Sequence, residues 1–190
     1  SEPDWTGDAH PVELERLPER NTGDPVVLSD FLKWAAKRFY ADNRLYVIWN
    51  HGSGFRTVRR DIAYDDFGSS LDMPEIVGAM ERAGITPAKP IQILGFDACL
   101  MNMVEIVNHF HGLVEIVVGS EQTEPGQGWP YDKVLALLKT AANPAVAGAG
   151  IVKAYIDYYR RTRQPNVTQS AVDVKKTEAV MAAMSRLGSA

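Results

Sequence analysis

Three mostly apolar runs, at residues 44–49, 91–96 and 113–118, are separated by stretches whose apolar residues recur every three to four positions. Near-continuous apolar runs of this length read as strands buried on both faces, and the periodic stretches between them as helices. Strand alternating with helix predicts parallel strands with helices on both faces of the sheet, an α/β fold. That prediction locates function as well, because working residues in open parallel sheets collect at the carboxyl ends of strands.

Two of these ends carry reactive side chains. The stretch Gln92-Ile93-Leu94-Gly95-Phe96-Asp97-Ala98-Cys99-Leu100-Met101 delivers the chain's one cysteine to a turn. A helix over 101–111 is expected directly after it, since Met101, Val104, Val107 and Asn108 share one helical face. Helix N–H groups near the thiol would favour its thiolate. The stretch Leu45-Tyr46-Val47-Ile48-Trp49-Asn50-His51-Gly52-Ser53-Gly54 repeats the design and places His51 at the end of its strand. Taken singly, Cys99 reads as a buried structural thiol and His51 as a hydrogen-bonded structural histidine. Taken together, on one edge of one sheet, they read as a catalytic pair.

The segments Trp49-Asn50-His51-Gly52-Ser53-Gly54-Phe55 and Phe96-Asp97-Ala98-Cys99-Leu100-Met101 closely resemble the two catalytic motifs of the clostripain-like cysteine peptidases, in the clan of caspases, legumains and gingipains. Cys99 follows His51 by 48 residues, near the roughly fifty-residue spacing of caspases. Asn21-Thr22-Gly23-Asp24-Pro25 through Trp34, Ala63-Tyr64-Asp65-Asp66, and Gly119-Ser120-Glu121 through Gly128-Trp129-Pro130-Tyr131 agree with the same family. The resemblance covers about residues 15–175 and implies a caspase-like three-layer sandwich with a mostly parallel sheet. Relatives carry a strand, a helix and a further strand before the matched region. This chain lacks them, and so reads as a portion of a longer protein whose sheet is completed by a missing N-terminal segment or by another copy.

Roles follow from the resemblance residue by residue. Cys99 is the nucleophile and His51 the general acid, and the backbone N–H groups of Gly52 and Cys99 form the oxyanion hole. Gly52 suits that task because no Cβ blocks its N–H from a carbonyl oxygen. Asp97 has two readings: a carboxylate capping the following helix, or, as the resemblance favours, a pocket group pairing with a basic P1 side chain. Relatives often hold a second acid between two glycines, where this chain has Gly126-Gln127-Gly128. Gln127 is uncharged, which weakens strict Arg or Lys selectivity. Ser120, Glu124 and Trp129 are candidate pocket walls, although Trp129 on composition alone belongs to the core. The resemblance also implies self-cleavage after a basic residue between His and Cys. Arg59 and Arg60 in the long 55–73 connection are the favoured sites and Lys89 the third, against a plain solvated basic loop.

The resemblance places such proteins outside the bacterial cytoplasm: secreted, periplasmic or on the cell surface. It also implies calcium as an accessory ion rather than as part of the chemistry. Asp61, Asp65, Asp66 and Asp72 offer oxygen ligands, but their spacing is not an EF-hand and a solvated acidic loop accounts for them. His109 and His111, two apart, do not share a helix face and read as surface residues. With a net charge of −4 and no basic stripe, nucleic acid is not an expected partner. No apolar run is long enough to span a membrane. One cysteine excludes an internal disulfide.

Residues 1–27 are expected to be an irregular lead-in and 28–190 a single domain. Helices are expected from a Ser29 cap to about residue 40, from Pro74 to about 83, and over 131–141, 145–161 and 175–187, with a last strand over 168–174. Two other functions compete with the peptidase. A serine hydrolase would use Ser53, but no Gly-x-Ser-x-Gly elbow is present. A catalytically silent caspase-like binding domain would need neither His51 nor Cys99.

Overall fold

The computed structural model describes residues 16–54, 62–162, 164 and 166–189. The first helix, α1, spans Pro25–Arg38. It begins earlier than its sequence suggests, because Asp24 rather than Ser29 is the cap. The Asp24 carboxylate accepts the N–H of Val26 at 2.8 Å, and Pro25 occupies the first turn, where its fixed φ is already helical. Ser29 instead lies inside the helix, 2% exposed, and residues 25–27, expected in the lead-in, belong to α1. Strand β1 follows at Leu45–Trp49.

Helix α2, Met73–Arg82, shows how completely local signals can agree. Asp72 and Glu75 form a reciprocal capping box, and Pro74 sits in the first turn. The far end closes in a Schellman arrangement: Gly84 at φ +83° donates to Glu81 O at 2.9 Å, and Ile85 donates to Met80 O at 3.1 Å. Strand β2, Ile91–Asp97, runs next to β1.

The helix expected over 101–111 is much reduced. A single turn, α3, spans Val104–Val107 and tightens into a 3-10 turn at Asn108–Phe110. The backbone before it is already committed elsewhere: Leu100 N–H donates to Gln122 O and Asn102 N–H to Ser120 O, each at 3.0 Å. Leu100 takes a φ of +64°, which no helix accepts. Helix N–H groups therefore do not activate Cys99, since the helix starts five residues later and is one turn long.

Strand β3 spans Val114–Gly119, and helices α4 and α5 span Tyr131–Leu138 and Pro144–Arg161. Strand β4, Ser170–Asp173, is shorter than expected and is followed by helix α6, Thr177–Gly188. The sheet order is β1-β2-β3-β4, with the first three strands parallel and β4 antiparallel to β3. Side chains alternate between the two faces. Tyr46, Ile48, Leu94, Phe96 and Val117 join the core beneath α1 and α2. Leu45, Val47, Ile93, Ile116 and Val118 join the core beneath α4 and α5. The result is the three-layer α/β sandwich with a mostly parallel sheet that the sequence predicts.

Candidate active site

The parallel register of β1 and β2 sets the geometry of the site. Trp49 pairs with Asp97 as the last matched residues, and Asn50 N–H extends the ladder to Asp97 O at 3.3 Å. His51 and Cys99 each lie two residues beyond that pair, and so emerge side by side at the carboxyl end of the sheet. They line one cleft of about 340 Å³, walled by residues 49–51, 97–99 and 124–126. His51 is exposed and Cys99 half-buried. The thiol is neither entombed nor on a separate rim.

Backbone fit locks the two turns together. A Cβ on Gly52 would come within 2.3 Å of Cys99 O and 2.6 Å of Met101 Cγ, distances no side chain tolerates. The His51 turn therefore rests directly on the Cys99 turn, and only glycine permits it. Asn50 anchors the arrangement from behind. Its Oδ1 accepts the N–H of His51 at 2.6 Å and of Tyr64 at 3.1 Å, while its Nδ2 donates to Tyr64 O at 3.2 Å. On the cysteine side, the Glu124 N–H donates to Cys99 Sγ at 3.2 Å.

Asp97 is 4% exposed and does not cap the helix that follows it, whose N-cap is Met103. Its Oδ2 accepts the Trp129 N–H at 3.0 Å and the Tyr131 hydroxyl at 2.8 Å. Gly128, at φ +64°, leaves room for it, since a Cβ there would sit 2.6 Å from the same oxygen. Of the two readings of Asp97, the cap is excluded and a cleft group remains. Tyr131 has its hydroxyl proton held more tightly than usual, by burial first and then by the Asp97 carboxylate.

The remaining candidates separate. Glu124 lines the cleft, and its carboxyl is pushed up to about 9, chiefly by burial and then by the neighbouring Asp97. Trp129 is core, as composition suggests: its ring lies against Gly95 of β2, where a Cβ would meet Cη2 at 2.8 Å. Its backbone nonetheless serves the site through Asp97. Ser120 is fully buried and hydrogen-bonded to Thr168 Oγ1 at 2.8 Å and Gln122 N–H at 3.0 Å, holding the loop rather than facing the cleft. Gln127 is exposed on the turn closed by Gly128 N–H to Pro125 O at 3.0 Å.

Arg59 and Arg60 lie outside the described residues, as do Phe55 and Asp61. Lys89 is exposed in a turn before β2, at the opposite end of that seven-residue strand from Cys99. The two ends of such a strand are about 20 Å apart. Among the described acids, Asp72 caps α2 and Asp65 accepts Thr22 N–H and Oγ1 at 2.8 and 2.6 Å. No group of three or more His, Cys, Asp or Glu among the described residues is placed to hold a metal ion. His111 pairs with Glu178 at 3.6 Å on the surface.

Several site-building residues were not singled out by sequence. Asn102 is buried and its Nδ2 donates to Gly119 O at 3.3 Å and to Ser170 O at 3.0 Å, tying the cysteine turn to the ends of β3 and β4. Tyr159 on α5 donates to Gly128 O at 2.7 Å. A buried asparagine and a helical tyrosine carry no sequence signal that separates them from ordinary core polarity.

A family model described as the Clostripain family matches residues 4–190. Clostripain of Hathewaya histolytica is 30% identical over 135 residues, 64% of this chain and 25% of that protein. A secreted C11 cysteine protease from Bacteroides thetaiotaomicron, in complex with an irreversible peptide inhibitor, superposes with a TM-score of 0.71 at 23% identity over 86% of this chain and 49% of that one. An inactive zymogen C11 protease from Parabacteroides distasonis gives 0.69 at 20% identity over 89% and 45%. At such identities the structural likeness is one of fold. The chain spans a quarter of the curated relative and about half of each solved structure.

Proposed function

The chain belongs to the clostripain family, and from that premise we propose that it is a cysteine endopeptidase acting on peptide bonds that follow basic residues. The observation carrying this reading is the β1–β2 register, which brings His51 and Cys99 two residues past a matched pair into one cleft. The Cys99 thiol passes its proton to His51, and Sγ attacks the scissile carbonyl carbon. The oxygen, now carrying the negative charge, is received by the N–H groups of Gly52 and Cys99, each such donor contributing about 3 kcal/mol in the transition state. His51 gives a proton to the departing amine, and water then opens the thioester. Asp97, fixed by Trp129 and Tyr131, receives the ammonium or guanidinium of P1.

The test compares hydrolysis of peptides with Arg, Lys and neutral P1 residues by the intact protein and by Cys99→Ala. Turnover confined to basic P1 and lost in Cys99→Ala supports the reading. Mass spectrometry after treatment with an Arg chloromethyl ketone separates it from its rivals. An adduct on Cys99 marks the peptidase, one on Ser53 a serine hydrolase, and no adduct a silent binding domain. Self-processing after Arg59 or Arg60 belongs to the same proposal, with intramolecular cleavage at Lys89 disfavoured by the length of β2. Two chain fragments should accumulate in the active protein and be absent in Cys99→Ala. Secretion is proposed from the secreted relative.

A further inference from the structure

Helices α4 and α5 enclose a groove of about 360 Å³ that shares no lining residue with the cleft of His51 and Cys99. On α5 its walls come from Gly150, Lys153, Ala154, Asp157, Tyr158 and Arg161. These recur every three or four positions and so share one helical face. A different face carries Ile151, Tyr155 and Tyr159 into the core. On α4 the walls are Lys133 and Leu137. Leu137, Ala154 and Tyr158 make an apolar floor. Gly150 keeps it open, since a Cβ there would stand 3.1 Å from Leu137 Cδ1.

Cations surround that floor. Lys133, Lys153 and Arg161 line the groove and are exposed, against one acid, Asp157. Lys153 hydrogen-bonds to Asp157, and with Arg160 and Arg161 holds its carboxyl below the ordinary value. Lys133 pairs with its neighbour Asp132 at 3.0 Å. Surface pairs of this kind are weak and exchange for another carboxylate. On a chain of formal charge −4, the groove reverses the sign locally and so complements a negatively charged ligand.

The same two helices hold the active site. Tyr131, two residues before Lys133, donates to Asp97. Tyr159 packs edge-on against Tyr158 at 4.9 Å and donates to Gly128 O in the loop beside the cleft. From Gly150 to Arg161 the helix rises about 17 Å, the span of about five extended residues.

We propose that this groove is a second docking site for the protein being cut, taking an acidic stretch of about five residues that carries one bulky apolar side chain. The carboxylates of that stretch meet Lys133, Lys153 and Arg161, and its apolar side chain lies on Leu137, Ala154 and Tyr158. Lys153 has three donors and serves Asp157 and the ligand together. The proposal rests on the peptidase reading above but concerns a surface outside the cleft. A segment docked here tethers its scissile bond near Cys99 and raises the local concentration of that bond. A nucleic acid fits less well, because its evenly spaced phosphates call for a run of cations and Asp157 interrupts this one.

Fluorescence polarisation tests the docking on the full chain carrying Cys99→Ala, with a fluorescein-labelled peptide Glu-Asp-Phe-Asp-Glu that has no basic residue to enter the cleft. Binding should weaken with salt and be lost for Gln-Asn-Phe-Asn-Gln. It should fall about tenfold or more when Lys133→Glu is combined with Arg161→Glu, and also in Ala154→Trp, which fills the floor at constant charge. A second measurement joins the acidic pentapeptide to a substrate with Arg at P1, through a Gly-Ser spacer of about ten residues. On the active protein its KM should lie about tenfold or more below that of the short substrate. The groove variants should abolish that difference and leave turnover of the short substrate unchanged, which also shows that they fold.

No binding, or binding indifferent to the groove variants, overturns the proposal. So does a KM that the acidic segment fails to lower. Displacement of the probe by oligothymidylate as readily as by unlabelled peptide marks a site for any polyanion and overturns it too. Binding seen only in Trp5→Ala gives the groove to residues 1–15, which hold five acids and no Lys or Arg. Binding that fades as the protein is concentrated gives it to a second copy. Either result removes the substrate from the groove. Failure of the basic-P1 reading is distinct: the short Arg substrate is then not turned over, whereas failure of the docking site leaves it turned over.

Discussion

Gly52 and Gly128 show how much of the site depends on a missing Cβ. At Gly52 the obstacle is backbone, Cys99 O at 2.3 Å, so an alanine must push apart the turns that carry the two reactive groups. Gly52→Ala should lower kcat/KM at least about 100-fold, the scale of one lost oxyanion donor, with a lower melting temperature seen in the same preparation. At Gly128 the obstacle is the Asp97 carboxylate at 2.6 Å, on a backbone at φ +64°. Gly128→Ala should therefore cut turnover of Arg P1 peptides more than of neutral ones. An equal loss on both would mean that Asp97 has no part in P1 recognition. The residue types at His51, Gly52, Asp97 and Cys99 could be read from two short motifs. Their partners could not, because Asn50, Asn102 and Tyr131 acquire their roles only from neighbours distant in the chain.

Among the elements, those with punctuation at both ends were the most legible. Helix α2 carries Asp72, Pro74, Glu75 and Gly84, and each acts as its type predicts. Helix α1 has its own signal in Asp24-Pro25, and Ser29 merely competes with it as a candidate cap. Asp24→Ala should cost about 1 kcal/mol, measurable by urea unfolding, whereas Ser29→Ala removes a buried hydroxyl that has no partner and should cost little. The segment after Cys99 departs from the helix its sequence predicts for a physical reason. Its apolar spacing suits a helix, but Leu100 and Asn102 give their N–H groups to Gln122 and Ser120 instead. Asn102 completes that tie to Gly119 and Ser170. Its replacement by Ala removes these hydrogen bonds from a buried site, and unfolding free energy should fall by about 2–3 kcal/mol.

For the whole molecule, the site is built at a cost to stability that should be visible in its pH dependence. Glu124 binds its proton more tightly folded than unfolded, rising from 4.5 to about 9. Such a group leaves stability intact below its ordinary value and diminishes it as pH climbs through the folded one. Asp65 runs the other way: hydrogen bonds from Thr22 and Phe67 lower it below 3.8, so its contribution is present above that value and fades in acid. Glu124→Gln, which keeps the shape and loses the charge, should raise Tm by roughly 3–6 °C at mildly alkaline pH and change it little near pH 4.5. An unchanged difference across that range, read by scanning calorimetry, would argue against a buried carboxyl. What the sequence determined unaided was the alternation of strand and helix, and hence a parallel sheet with both faces covered, because apolar periodicity and turn residues are local properties. It also determined that an imidazole and a thiol end neighbouring strands. Only the tertiary structure decided which loop closes over them, that Asp97 turns toward Trp129 and Tyr131 rather than toward the helix that follows it in sequence, and that Glu124 is buried beside Asp97. Burial and hydrogen-bond pairing are sums over residues brought together from far apart, and no stretch of chain contains them.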